Sequence, residues 1–193
     1  MFLPTNYEAP KSTSGYMKLQ DGLNKLRVLS SAIVGYEYWN TDNKPVRSKE
    51  YPSNPTDIRV EKDGSKSKIK HFWAFCVWNY KADKDKDGND VGMVQILEIT
   101  QKTIQNGIMS LVNDEDYGDP KQYDLKITRS GEGLETSYSV MPSPAKELSM
   151  EVATAFAEKK VNLEALYASG DPFADTSYEG DKEEEIDLSN IPV

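Results

Sequence analysis

The chain has 193 residues, of which 37% are hydrophobic and 28% are charged, and its formal net charge is −9 at pH 7. This length predicts one folded domain with appendages, and the absence of an apolar run of about 18 residues excludes a membrane-spanning helix. The single cysteine, Cys76, excludes an internal disulfide and a cysteine-rich zinc site. Because the N-terminus has no basic stretch followed by an apolar one, we expect no secretory signal. The low cysteine content fits a reducing, cytoplasmic location.

The charge is distributed unevenly along the chain. Residues 1–80 contain twelve Lys or Arg and eight Asp or Glu, whereas residues 171–193 contain eight acidic residues and one lysine. Such asymmetry is typical of a protein with a polyanionic partner and an acidic tail.

The residue pattern in the first half of the chain predicts mainly strands and loops. Residues 1–20 show no clear periodicity, which indicates a flexible N-terminal arm. Apolar side chains alternate over residues 23–39, which predicts one long strand bent at Gly35. Residues 40–57 are rich in Asn, Pro, Ser and charge, which predicts a long loop. Residues 69–80 predict the second strand.

In the second half of the chain, the spacing of apolar residues changes from that of strands to that of a helix and back. The Asp87-Gly88 pair predicts a turn over residues 81–90, before a third strand over residues 91–100. Apolar residues at helical spacing predict a helix over residues 100–118. The remaining elements are two strands, a helix and a tail, at residues 123–133, 134–144, 145–170 and 171–193.

This order predicts a mainly β protein with a five-stranded OB-fold barrel, a helix between strands 3 and 4, a C-terminal helix and a disordered acidic tail. OB-folds present strands 2 and 3 to oligonucleotides. The predicted units are an N-terminal arm, the barrel, a helical segment and the tail, at residues 1–20, 21–148, 149–170 and 171–193.

The second strand is aromatic on both of its faces. It reads "IKHFWAFCVWNY", and successive side chains of a strand point to opposite faces. The small residues Ala74 and Cys76 suit a crowded barrel interior, which would leave Trp73 and Phe75 outside. The opposite phasing, with Trp78 exposed, is left open by the sequence.

Aromatic rings beside amines suit single-stranded nucleic acid, because bases stack on rings while amines follow the phosphates. For any single ring, burial in the core is the more frequent outcome. The candidate stacking residues are Tyr36, Tyr38, Trp39, Trp73, Phe75, Trp78 and Tyr80. The candidate phosphate contacts are Lys44, Arg47, Lys49, Lys68, Lys70 and Arg129.

Catalytic and metal chemistry have little support in the residues. His71 is the only histidine, so neither a paired-histidine metal site nor a second histidine base is available. Phosphate-binding glycine motifs are also absent. We therefore expect no cofactor, no metal and no enzymatic activity. A nuclease is a further rival function, which the absence of a metal-ligand cluster argues against and a cleavage assay with magnesium would test.

The acidic tail ends in an apolar tripeptide, which makes it a candidate peptide ligand for a partner protein. Its acidic residues could also compete with nucleic acid for a basic groove. The residues that we expect to meet a partner are Asp187, Ile191, Pro192 and Val193.

Several blocks of the chain together resemble bacteriophage-encoded single-stranded DNA-binding proteins with an OB-fold. They are "GYEYWNTDNKPVRSKE", "KHFWAFCVWNY", "VQILEITQKTI" and "YDLKITRSGEGLETSYSVMPSP". The resemblance implies a protein that coats single-stranded DNA during phage replication, recombination or repair in the host cytoplasm. The acidic end resembles the C-terminal tail of bacterial single-stranded DNA-binding proteins, which implies that it recruits replication, recombination or repair proteins. Such tails end in an aromatic residue after Ile-Pro, and Val193 stands there instead.

Two other functions remain open at the level of the residues. One is an RNA-binding OB module, since no residue here reads the 2′-hydroxyl. The other is a protein-interaction module whose aromatic face contacts a partner. Cooperative self-association along DNA, through the arm or the 145–170 helix, is a further expectation.

Overall fold

The computed structural model describes residues 15–174, which form seven strands and two α-helices. The strands are β1 (Gly22–Val28), β2 (Ile33–Trp39), β3 (Pro45–Ser48), β4 (Lys70–Lys84), β5 (Asp90–Ile99), β6 (Tyr123–Ser130) and β7 (Ser137–Ala145). The α-helices are α1 (Lys102–Val112) and α2 (Met150–Lys159), and 3₁₀ helices cover Pro120–Gln122, Gly133–Glu135 and Leu163–Ala168. No helix within residues 15–174 is long and apolar enough to cross a bilayer.

All strand pairs of the sheet are antiparallel, and β4 is its centre. The hydrogen-bonded order is β3-β2-β4-β1-β6-β7, and β5 also pairs with β4. The first half of β4 pairs with β2 and its second half with β1, while β5 runs along its other edge. The prediction of a mainly β chain is confirmed.

The sheet is open, because β5 and β7 do not pair with each other within the described residues. At Ile96 of β5, the outward backbone groups bond instead to residues 15–17, through Met17 N to Ile96 O and Ile96 N to Gly15 O, both at 2.8 Å. Met17 is buried, so this end of the predicted flexible arm is packed against the domain. Residues 1–14 and 175–193, with most of the predicted acidic tail, lie outside the described residues.

Three predicted elements were wrong in detail. The predicted strand over residues 23–39 is two strands, because strand pairing is interrupted at residues 29–32. There Cys76 N donates to the hydroxyl of Ser30 at 2.9 Å. The predicted loop contains β3, which makes seven strands rather than five. The predicted helix over residues 145–170 stops at the left-handed residue Lys160, with φ +46°, before the 3₁₀ helix Leu163–Ala168.

The remaining elements follow the sequence pattern closely. The turn between β4 and β5 forms at the predicted Asp-Gly pair, where Gly88 has φ +83° and its N–H donates to Asp85 O at 3.1 Å. Glycine is suited to that left-handed conformation because it has no Cβ. The predicted strands over residues 91–100 and 123–133 are confirmed as β5 and β6. The predicted helix over residues 100–118 is confirmed as α1, but it is shorter and ends at Val112.

One face of β4 lies on the main core. Phe75 and Val77 are buried there with residues of β1, β5 and β6, and α1 covers them through Ile104 and Ile108. The helix is amphipathic, and its apolar side faces this core.

The other face of β4 is covered by the chain that follows β7, which we name the C-terminal segment (residues 146–174). Leu166 packs on Phe72 and Ala74, and Val152 packs on Trp78. The hydroxyl of Tyr167 donates to Val34 O at 2.6 Å, which fixes the segment to β2. Both faces of β4 are therefore largely covered, and neither predicted phasing leaves one whole face open.

Candidate nucleic-acid interface

Four rings form a continuous row at the N-terminal end of β4, which we name the ring row (Tyr51, Tyr36, His71 and Trp73). Neighbouring ring centroids lie 5.2, 5.5 and 6.4 Å apart along this order, and each pair meets edge to face. Tyr36 and His71 are directly opposed on β2 and β4. Tyr51 is 57% exposed and His71 is exposed, so the row offers ring surface to the solvent.

The predicted stacking residues fall into two groups, rings that are buried and rings that keep some exposed surface. Phe75, Trp78 and Tyr38 are at most 7% exposed, so none of them presents a ring face on the open surface of the protein. Phe75 lies in the main core, α2 covers Trp78, and the hydroxyl of Tyr38 donates to Asp57 at 2.8 Å. Their burial argues against the three predicted contacts. The sequence did not reveal it, because the packing partners of a ring are not visible in the strand pattern.

The other predicted rings keep some exposed surface. Tyr36 and Trp73 belong to the ring row and are half-buried. Trp39, at the end of β2, is 37% exposed, and the guanidinium of Arg59 lies over its ring at 5.7 Å. Tyr80 is half-buried on the other face of β4, away from the ring row.

Several exposed lysines lie on the loop that joins β2 to β4, which we name the lysine loop (residues 40–69). It holds β3 and an isolated antiparallel bridge between Val60 and Lys66. Lys44, Lys68 and, at the start of β4, Lys70 are exposed, and their ammonium groups have no carboxylate within 4.0 Å among residues 15–174. They are available to neutralise phosphates.

The other three predicted phosphate contacts are ion-paired. Lys49 Nζ lies 2.8 Å from Glu164 Oε2, and Arg129 NH1 lies 3.0 Å from Asp21 Oδ1. Arg47 is almost buried, and it lies 2.9 Å from both Glu37 and Glu98. Arg47 is thus a structural residue that joins β3 to β2 and β5.

Glu98 shows why Arg47 is needed there. Burial raises the pKa of Glu98, and the guanidinium of Arg47 acts against that rise. Glu98 Oε1 is buried and has no hydrogen-bond partner among the described residues. Without Arg47, this carboxylate would be a partly buried and uncompensated charge.

The structure adds residues that were not among the predicted contacts. Tyr51 and His71 complete the ring row, and Arg59 covers Trp39. His71 lies two residues before Trp73, so the two side chains share one face of a strand. That spacing was a usable signal for His71. Tyr51 follows Lys49 in a stretch rich in tyrosines and basic residues, which was a usable signal for it. Arg59 lies in the irregular lysine loop, where no sequence period indicates which side chain meets a ring.

A cavity of about 390 Å³ lies at the other end of the ring row. Trp73 forms one wall, beside Phe75 and Val28, and Ile108 and Val112 of α1 form another. The rim includes Ser31, Ala32, Asp119 and Lys121, all of them exposed, so the cavity opens to the solvent.

The described residues offer little for metal or thiol chemistry. No group of three or more His, Cys, Asp or Glu residues within 15–174 is arranged to hold a metal ion. Cys76 is buried, and burial raises the pKa of its thiol, which disfavours the reactive thiolate.

Comparison with known proteins bears on the nucleic-acid hypothesis. The chain is 21% identical over 160 residues to a protein of Escherichia phage T5 described as "Probable ssDNA-binding protein". The match covers 71% of this chain and 58% of that protein, so the chain spans less than two thirds of the relative's length. No protein-family model matches the chain, and no solved structure matches it significantly. The predicted resemblance to a phage single-stranded DNA-binding protein is confirmed as a distant sequence similarity.

Proposed function

We propose that this protein binds single-stranded DNA without sequence specificity, with bases stacked on the ring row and phosphates held by the lysine loop and Lys70. The observation that supports this proposal most is the ring row itself, in which four rings are contiguous and Tyr51 and His71 are exposed. The lysine loop that joins β2 to β4 also carries exposed lysines. Every base has a flat face, so stacking binds a single strand whatever its sequence. The name of the phage T5 relative supports the same ligand.

The chemistry of this surface favours unpaired strands over duplex DNA. In a duplex the bases already stack on one another, so exposed rings gain little from it. The lysines contribute affinity that falls with salt, because each neutralised phosphate releases counterions. The protein acts by binding alone, without enzymatic activity or a cofactor.

The wider role follows from this ligand. The protein coats single-stranded DNA during phage replication, recombination and repair in the host cytoplasm, with cooperative contacts between copies. Residues 21–148 act as an OB-like DNA-binding domain. The acidic tail (residues 171–193), ending in Ile191, Pro192 and Val193, modulates binding or recruits replication or recombination proteins.

Titrations with matched oligonucleotides test the ligand. The full chain is mixed with single-stranded DNA, duplex DNA and single-stranded RNA of one sequence at two salt concentrations, and binding is followed by gel shift. We expect single-stranded DNA to bind best and more weakly at the higher salt. Tighter binding of RNA would favour an RNA-binding module, and no binding of any oligonucleotide by the folded chain would favour a protein-interaction module.

Variants at Tyr51 test the site. Tyr51→Ala should weaken single-stranded DNA binding by about tenfold, since one stacked base contributes about 1–3 kcal/mol. Tyr51→Phe keeps the ring and should bind like the unchanged chain. Met150→Ala is the matched control, because Met150 is 82% exposed on α2 and distant in the fold from the ring row. Equal losses in Tyr51→Ala and Met150→Ala would place the site elsewhere.

A further inference from the structure

The cavity beside Trp73 lies where the regular strand is interrupted between β1 and β2. Residues 29–32 leave the regular strand pairing, and the hydroxyl of Ser30 holds the break by accepting from Cys76 N. The residues that face the space, Ser30, Ser31 and Ala32, are small and do not fill it. A closely packed interior would have filled it, since empty volume lowers stability.

The cavity continues the ring row. Trp73 is both the last ring of the row and a wall of the cavity, so a strand stacked along the row reaches the opening. The indole Nε1 of Trp73 is buried and has no hydrogen-bond partner among the described residues, so packing alone holds this ring.

The chemistry of the cavity fits an uncharged flat ring. Its walls are the aliphatic and aromatic side chains of Val28, Phe75 and Ile108. At the rim, Lys121 Nζ lies 3.4 Å from Asp119 Oδ2, so the two charges compensate each other. A phosphate would therefore find little net attraction inside, whereas a base would exchange water for apolar contacts. The volume falls within the range of about 300–1,000 Å³ that small-molecule pockets occupy.

We propose that this cavity takes one unstacked nucleobase of the bound strand, between Trp73 and the C-terminal turn of α1. The inference rests on the proposed binding of single-stranded DNA and adds a discrete pocket to a stacking surface. It gives the bound strand a fixed point, because a base in the cavity cannot slide without leaving it.

Filling the cavity tests the proposal. Val112→Phe places a ring in it from the last turn of α1, and Ala32→Phe does so from the opposite rim. Met109→Phe is the matched control, because Met109 is as exposed as Val112 on the same helix, at 46%, but does not line the cavity. Circular dichroism and urea unfolding confirm that each variant is folded.

The readouts are affinity for oligothymidylate and photo-crosslinking of oligothymidylate that carries 4-thiothymidine, mapped by mass spectrometry. We expect cross-links to the cavity walls in the unchanged chain and in Met109→Phe. Val112→Phe and Ala32→Phe should lose these cross-links, keep those to Tyr36 or Tyr51, and bind about tenfold more weakly.

Two results separate this inference from the function on which it rests. If both filled variants bind with unchanged affinity and the same cross-links, the pocket is wrong while DNA binding stands. If the unchanged chain does not bind oligothymidylate, the proposed function fails and the pocket fails with it.

Discussion

Tyr80 on β4 donates its phenolic hydrogen to the carboxylate of Asp124 on β6, with 2.9 Å between the two oxygens. The same carboxylate oxygen accepts from Nε of Arg27, which is also 2.9 Å away and only 2% exposed. Burial acts to raise the pKa of Asp124, but hydrogen bonds from Arg27, Lys25 and Tyr80 outweigh it and lower the pKa. The group therefore stays ionised and links three strands of the sheet.

This contact predicts how stability changes at high pH. Burial, and then the Asp124 carboxylate, raise the pKa of Tyr80 from 10.0 to about 12. Between these values the folded chain holds a proton that the unfolded chain has lost, so the free energy of unfolding falls as pH rises from 10.0 to about 12. Tyr80→Phe should show a smaller fall over this window in urea unfolding.

The control for that experiment is Tyr51→Phe, which removes the hydroxyl of an exposed tyrosine and should keep the full fall of the unchanged chain. Well below pH 10.0 Tyr80 is neutral in both the folded and the unfolded chain and contributes no slope. Parallel pH profiles for Tyr80→Phe and the unchanged chain would contradict the assignment.

A second prediction separates the two kinds of cation near the ring row. Lys70→Gln should reduce the magnitude of the log–log salt slope of single-stranded DNA binding by about 0.7, the contribution of one phosphate contact. Arg47→Gln should leave that slope unchanged, because Arg47 is held by Glu37 and Glu98. It should instead lower the free energy of unfolding by about 3 kcal/mol, since it leaves partly buried carboxylates without a cation.

Fluorescence titrations at several salt concentrations give the slopes, and urea unfolding gives the stabilities. A shallower slope for Arg47→Gln, with unchanged stability, would show that Arg47 contacts phosphate after all.

A third prediction concerns the contact between α1 and β7. A Cβ on Gly107 would lie 2.9 Å from Cβ of Val140, which is tighter than side chains tolerate. Gly107→Ala gains about 1 kcal/mol of helix propensity, but crowding against a rigid β-branched residue costs about 1–3 kcal/mol. The expected net result is lower stability in urea unfolding.

Asn106→Ala is the comparison for Gly107→Ala, because Asn106 is exposed on the same helix and its replacement meets no neighbour across the sheet. It should leave stability unchanged or slightly raised. A Gly107→Ala chain more stable than the unchanged one would mean that α1 does not lie against β7 as closely as described.

The amino-acid sequence determined the elements whose signals are local. Alternation over β5 and β6, helical spacing over α1 and the glycine after Asp87 each reflect interactions within a few residues, and each of these elements was predicted correctly. The concentration of rings on β4 and of lysines before it was also visible directly. So was the likeness to phage single-stranded DNA-binding proteins.

Only the tertiary structure decided which rings and charges face the solvent. Alternation on β4 separates its side chains into two faces, but it does not say that α1 covers one and the C-terminal segment the other. Nor does spacing show that Arg47 meets Glu98, which is 51 residues away along the chain. Strand and helix periods depend on residues that are close in sequence, so they could be predicted. Burial and ion pairing depend on contacts between residues that are distant in sequence, so only the tertiary structure shows them.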